Sequence, residues 1–133
     1  MQKMLLIPAM FFSAPAIADD TEIQCLANAI YYEASGEADK GKIAVGNVVL
    51  NRTKSGKYPK SVCKVISQRG QFSWFPRSNT ANQKSLKIAR DIFQGNIQDM
   101  TMGALFFHST SIGKPRGWRA KLTMSIGRHR FYR

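Results

Sequence analysis

The chain has 133 residues, with 20 Lys or Arg against 8 Asp or Glu, for a formal net charge of +12. That length suits one domain large enough to bury its own core. Excess basicity calls for an anionic partner: peptidoglycan with its peptide carboxylates, another anionic envelope polymer, or nucleic acid. The sequence holds two histidines and two cysteines. It has no HExxH, CxxC or Gly-rich phosphate loop, so zinc and nucleotide chemistry have no motif behind them. Neither a metal nor a cofactor is expected.

Residues 1–18 read as an export signal. Lys3 supplies the charge, Met4 to Phe12 the apolar run and Ala16-Ile17-Ala18 the cleavage site. The expected mature domain is 19–133, and the expected location is the periplasm, the cell envelope or outside the cell. An oxidising compartment would favour a bond between Cys25 and Cys63. Two buried free thiols are the alternative, because sequence does not place their Cα atoms.

Thr21-Glu22-Ile23-Gln24 reads as a capping box opening a first helix, which Ile23, Leu26, Ala27, Ile30 and Ala34 carry at helical spacing. Ser35-Gly36 ends it, with Gly36 in a left-handed turn. Asp39 then caps a second helix through Ile43, Ala44, Val45, Val48, Val49 and Leu50 to Asn51-Arg52. That helix is apolar nearly all round, hence buried. Gly46 in its middle implies a close helix crossing.

Thr53 to Lys57 is a polar turn. A short third helix spans Ser61 to Ser67, after Pro59. The loop Gln68 to Pro76 carries Phe72, Trp74 and Phe75, which either pack inward or form a sugar-stacking platform. A fourth helix is expected from Asn79 to about Gln94, stopped by Gly95. Leu105 to His108 reads as a strand, Ser109 to Gly117 as a loop, and Lys121 to Met124 and Arg128 to Tyr132 as further strands or irregular structure.

Glu33 is the residue of greatest chemical interest. It falls in the last turn of the first helix, beside Tyr31 and Tyr32. Burial disfavours a carboxylate anion, and so does the negative end of the helix dipole. Both push Glu33 towards the protonated form that a general acid needs. Glu37 and Asp39 follow closely as candidate second carboxylates. Glycosidases usually need two. A lytic transglycosylase needs one, because the substrate's own C6 hydroxyl is the nucleophile. A Cys–His pair using Cys25 or Cys63 with His108 competes weakly, since Cys25 sits among core residues. So does a non-catalytic basic module formed by Arg116, Arg119, Lys121, Arg128, Arg130 and Arg133 with Trp118, Phe131 and Tyr132.

Tyr-Glu-Ala-x-Gly-Glu at 32–37, followed by Gly-Lys-Ile-Ala-Val-x-Asn-Val-Val-Leu-Asn-Arg at 41–52, resembles the start of the SleB/CwlJ-type cell wall hydrolase family. The resemblance continues through Tyr58-Pro59, Val65-Ile66, Gln71-Phe72-Ser73-Trp74, Phe107-His108, Gly117-Trp118 and Ile126 to Arg133. It implies an α+β, lysozyme-like domain, mainly helical with a small β-sheet. It also implies cleavage of peptidoglycan glycan strands between N-acetylmuramic acid and N-acetylglucosamine, with Glu33 as the catalytic acid. Expected substrate contacts are Glu37, Gln71, Phe72, Ser73, Trp74, Phe107, His108 and Trp118. The export signal argues against nucleic acid, and a monomer is expected.

Overall fold

A computed structural model describes residues 16–68, 70–75 and 81–133. Its elements are helices α1 (Ala16–Ala34), α2 (Asp39–Lys54), α3 (Val62–Ile66) and α4 (Gln83–Phe93), then strands β1 (Phe106–Ser109), β2 (Leu122–Ile126) and β3 (His129–Tyr132). The strands form an antiparallel sheet in the order β1-β3-β2. The fold is α+β and lysozyme-like, mostly helical with a small sheet.

α1 starts earlier than the capping box suggested, so Thr21 lies inside the helix rather than at its cap. The alanines at 16 and 18 are strong helix formers, and Asp19 in the first turn suits the positive end of the dipole. Gln24 does not reach back to Thr21; its Nε2 donates to Asn28 Oδ1 at 3.0 Å. Of the expected export segment, residues 1–15 lie outside the described residues and Ala16 to Ala18 begin α1.

The N-cap of α2 is Ala38, with no side-chain cap. Asp39 is instead the first helical residue and pairs with Lys84 Nζ at 3.3 Å. α2 also runs past Arg52 to Lys54, two residues beyond the expected end. The Thr53 hydroxyl donates to the Leu50 carbonyl at 2.6 Å, so the polar residue is absorbed into the last turn. α3 matches its expected span closely and is capped by Ser61, whose side chain accepts from Lys64 N. α4 starts later than expected: Asn82 is its cap and accepts from Ser85 N. Asn79 lies outside the described residues.

Two apolar clusters share α1 and α2. The larger joins α1, α3, α4 and Val49 of α2 with Phe72 and Trp74. The smaller sets Ala44, Val45 and Val48 of α2 against Ala104 and Phe131, so that α2 is buried between the helices and the sheet. A Cβ on Gly46 would run into Ile92 of α4 and Ile30 of α1. Gly46 is therefore what lets three helices meet. The Cys25 and Cys63 sulfurs lie at bonding distance, with Cα atoms 5.3 Å apart, and tie α1 to α3.

Gly36 does not adopt the expected left-handed conformation, since the positive-φ glycines among the described residues are others. Its smallness serves a close approach. A Cβ there would stand 3.0 Å from Arg128 Nη2, which donates to the Gly36 carbonyl at 2.9 Å. Carbonyls of the turn that follows α1 are met by buried Lys42, whose Nζ donates to Ser35 O and Glu37 O.

Candidate active site

Glu33 stands at the C-terminal end of α1, where helices, sheet and the loop after α3 converge. Trp74, from that loop, donates its indole Nε1–H to Glu33 Oε1 at 3.0 Å. The Trp74 ring is held by stacking on Tyr32, at 5.0 Å and 16°, and by Phe72 at 5.5 Å. Burial raises the Glu33 carboxyl above its ordinary pKa, while the Trp74 hydrogen bond and the Arg52 charge pull the other way without cancelling it. The direction agrees with the expectation from the helix position.

Arg52 comes from the buried face of α2. Its Nε donates to Leu105 O at 2.8 Å and its Nη1 to Gln71 Oε1 at 3.2 Å. Its guanidinium lies 4.8 Å from the centroid of the Tyr58 ring. Burial lowers its pKa, opposed by Tyr58 and Glu33. A guanidinium remains charged at neutral pH all the same, so Glu33 faces a fixed cation.

A cavity of about 420 Å³ opens beside Glu33 and is lined also by Arg52, Gln71, Phe107, His108 and Trp118. A second, of about 520 Å³, shares Glu33, Ser109 and His129 with it and continues past Glu37 and the hydroxyls of Thr110 and Ser111. Glu33 thus sits at the junction of one elongated cleft.

Glu37 lines the second cavity but is heavily engaged. Its Oε1 accepts from Arg128 N at 3.0 Å, with Arg128 Nε at 3.7 Å. His129 Nδ1 lies 3.3 Å from the same oxygen, out of hydrogen-bond alignment. A Cβ on Gly127 would meet Glu37 Oε2 at 2.6 Å, and Gly127 has φ +56°. The β2–β3 turn therefore needs glycine for both its conformation and the carboxylate packed against it. Burial lowers the His129 pKa; Glu37 opposes this, and Arg128 and His108 add to it.

The other expected contacts divide. Gln71, Phe72, Phe107, His108 and Trp118 line the cavity at Glu33. Trp118 folds inward against Phe106 and Tyr132, at 5.3 and 5.6 Å. His108 is buried with both ring nitrogens engaged: Nδ1 is 2.7 Å from Ser109 O and Nε2 is 2.8 Å from Tyr132 Oη. Phe72 and Trp74 are buried, so two of the loop's three rings pack inward rather than forming a platform, and Phe75 stays exposed. Trp74 touches Glu33 instead of lining the cavity, and exposed Ser73 lines neither cavity. Cys25 is bonded to Cys63, which removes the thiol that a Cys–His pair with His108 would need.

Arg52, Tyr58, Phe106 and His129 were missed as lining residues. For Arg52 a signal existed. It continues the i, i+3, i+4, i+7 series of Val45, Val48 and Val49, the buried face of its helix.

Fold and cleft define a lysozyme-like domain with a half-buried acid at the centre of an elongated groove. The chain belongs to the cell wall hydrolase family, whose pattern it matches over residues 36–132. It is 32% identical over 114 residues to a spore cortex-lytic enzyme of Bacillus cereus, covering 83% of this chain and 43% of that protein. The chain thus spans less than half the length of that curated relative. It is also similar to the crystal structure of the catalytic domain of the Bacillus cereus SleB protein. There the TM-score is 0.76 at 28% identity, over 96% of this chain and 95% of that one. The catalytic domain of a germination-specific lytic transglycosylase, SleB from Bacillus anthracis, gives a TM-score of 0.74 at 28% identity, over 96% of this chain and all of that one.

Proposed function

We propose that this chain is a peptidoglycan lytic transglycosylase that cleaves the bond between N-acetylmuramic acid and N-acetylglucosamine. Glu33 protonates the glycosidic oxygen as the C1–O bond breaks. The C6 hydroxyl of the same muramic residue then attacks C1 and returns its proton to Glu33, leaving a 1,6-anhydro end. No water is consumed.

The observation that carries this reading is the difference between the two carboxylates along the cleft. Glu33 is half-buried, with a raised pKa and a single indole donor. Glu37 is held by Arg128 and faces His129, so it braces a turn. Asp39 is paired with Lys84. Among the described residues, no second acid beside Glu33 is free of such partners to activate a water, as a hydrolase requires. The lytic transglycosylase similar in fold supports the same chemistry.

A hydrolase reading survives on one observation: Glu33 and Glu37 line the same cavity. Mass spectrometry of digested sacculi separates the two. Muropeptides with 1,6-anhydro ends, lighter by one water, support transglycosylation; a digest dominated by reducing ends overturns it and promotes Glu37. Such a substrate requires export, which the reading of residues 1–18 as a cleaved signal would provide. N-terminal sequencing of the exported protein tests this, with Asp19 the expected first residue. The protein is further proposed to act as a monomer, without a cofactor and without nucleic acid.

A further inference from the structure

A third cavity, of about 800 Å³, adjoins the cleft and shares Tyr58 and Phe106 with the cavity at Glu33. Its charge is one-sided. Lys54 from the end of α2, Lys57 from the following turn, Arg119 from the β1–β2 connection and Arg133 after β3 all line it, and no acid does. Ion pairs among the described residues involve none of these four cations. Asp99, which packs at this rim through Gly103, is already saturated. It accepts from Thr101 N, Thr101 Oγ1, Gly103 N and Asn51 Nδ2. The far end of the cleft is different: hydroxyls line it, and its cation, Arg128, is engaged by Glu37 and Gly36.

We propose that this basic chamber binds the acidic peptide stems of peptidoglycan, so that the enzyme prefers glycan strands that carry them. The inference rests on the glycan-cleavage reading and names a feature of its substrate. Peptide stems bear carboxylates that are anionic at neutral pH and project from the muramic residues of the strand. A strand lying across Glu33 would bring a neighbouring stem to the chamber past Tyr58 and Phe106, which line both cavities. Converging cations from separate segments suit several carboxylates at once, and continuity with the cleft favours an anion carried on the substrate over an unrelated polyanion.

The test compares KM on soluble glycan strands with intact stems and on strands stripped of stems by an amidase. Wild-type protein is expected to show a KM about tenfold lower on stem-bearing strands, the combined effect of a few exposed charge pairs. The ratio should fall towards one in Lys57→Glu/Arg119→Glu and at raised salt. Lys57→Ala/Arg119→Ala, a milder change, serves if the charge reversal disturbs folding. Equal KM on both substrates with wild-type protein overturns the stem site and leaves glycan cleavage standing. A double variant that keeps the wild-type ratio also overturns it. So does tighter binding of a single-stranded oligonucleotide than of free stem peptide. If wild-type protein cleaves neither kind of strand, the glycan-cleavage reading falls and the stem site with it.

Discussion

Trp74 holds Glu33 from across the chain: residues 41 apart in sequence meet in an indole-to-carboxylate hydrogen bond of 3.0 Å. The bond favours the ionised carboxylate and so works against the burial that raises the Glu33 pKa. Trp74→Phe keeps most of the ring packing on Tyr32 and removes the donor. Glu33 should then stay protonated to higher pH. The alkaline limb of the kcat profile is expected to move upward, with kcat down severalfold from looser positioning. An unmoved limb would show that the hydrogen bond does not tune the acid.

Glu33→Gln should abolish glycan cleavage, by roughly a thousandfold or more, because no proton donor replaces the acid. Its effect on stability has the opposite sign. A carboxyl whose folded pKa is raised contributes its stability below the unfolded value of 4.5 and loses it as pH rises through the folded value. The neutral amide avoids that loss. The variant should melt at or above the wild-type temperature at pH 8, and its advantage should shrink towards pH 4. Near wild-type clearing on a sacculus zymogram would refute the assignment.

Glu37→Gln should behave differently, since Glu37 ties the loop after α1 to the β2–β3 turn. Its side chain is about nine-tenths buried, and losing the charge leaves Arg128 N and His129 less well satisfied. A stability loss of about 1–2 kcal/mol is expected, with activity reduced less than in Glu33→Gln. Equal catalytic loss in two stably folded variants would favour a two-carboxylate hydrolase.

The disulfide gives a prediction that does not involve the site. Cys25 and Cys63 close a loop with a sequence separation of 38. Cys25→Ser/Cys63→Ser should lose about 3–4 kcal/mol, read from denaturant midpoints, with activity per folded molecule retained. A variant as stable as wild type would show that the bond adds nothing to the packing of α1 on α3.

How far the sequence foretold these features depends on range. Ile23, Leu26 and Ile30 announced α1 by local periodicity, and Gly46 announced a helix crossing because glycine inside a helix needs a reason. Element ends were harder. Thr53 and Lys54 look like turn residues, yet a hydroxyl bonded back to Leu50 O keeps them helical. Gly36 suggested a left-handed turn, whereas its role is contact with Arg128, 92 residues away. The raised pKa of Glu33 was legible from its place at a helix end. Its partner Trp74 was not, because it reaches Glu33 through tertiary packing, and the loop gave no local sign that Phe72 and Trp74 turn inward while Phe75 stays exposed. Arg52 continued the buried face of α2, but nothing local set it beside Glu33.

Arg52 allows charge and scaffold to be separated. It opposes the raised pKa of Glu33 through its charge, and it ties the start of β1 and the Gln71 loop to α2 through its nitrogens. Arg52→Lys keeps the cation but cannot reproduce the planar fork that reaches Leu105 O and Gln71 Oε1 together. It should lose stability, by about 1–3 kcal/mol, while the alkaline limb of the kcat profile stays near its wild-type position. Arg52→Met keeps the packing length and removes the charge. Its profile should shift upward in pH, because nothing cationic remains to favour ionised Glu33. The measurement pairs pH–kcat profiles with denaturant melts for both variants. If the two profiles shift alike, the guanidinium acts on Glu33 through geometry and not through its charge.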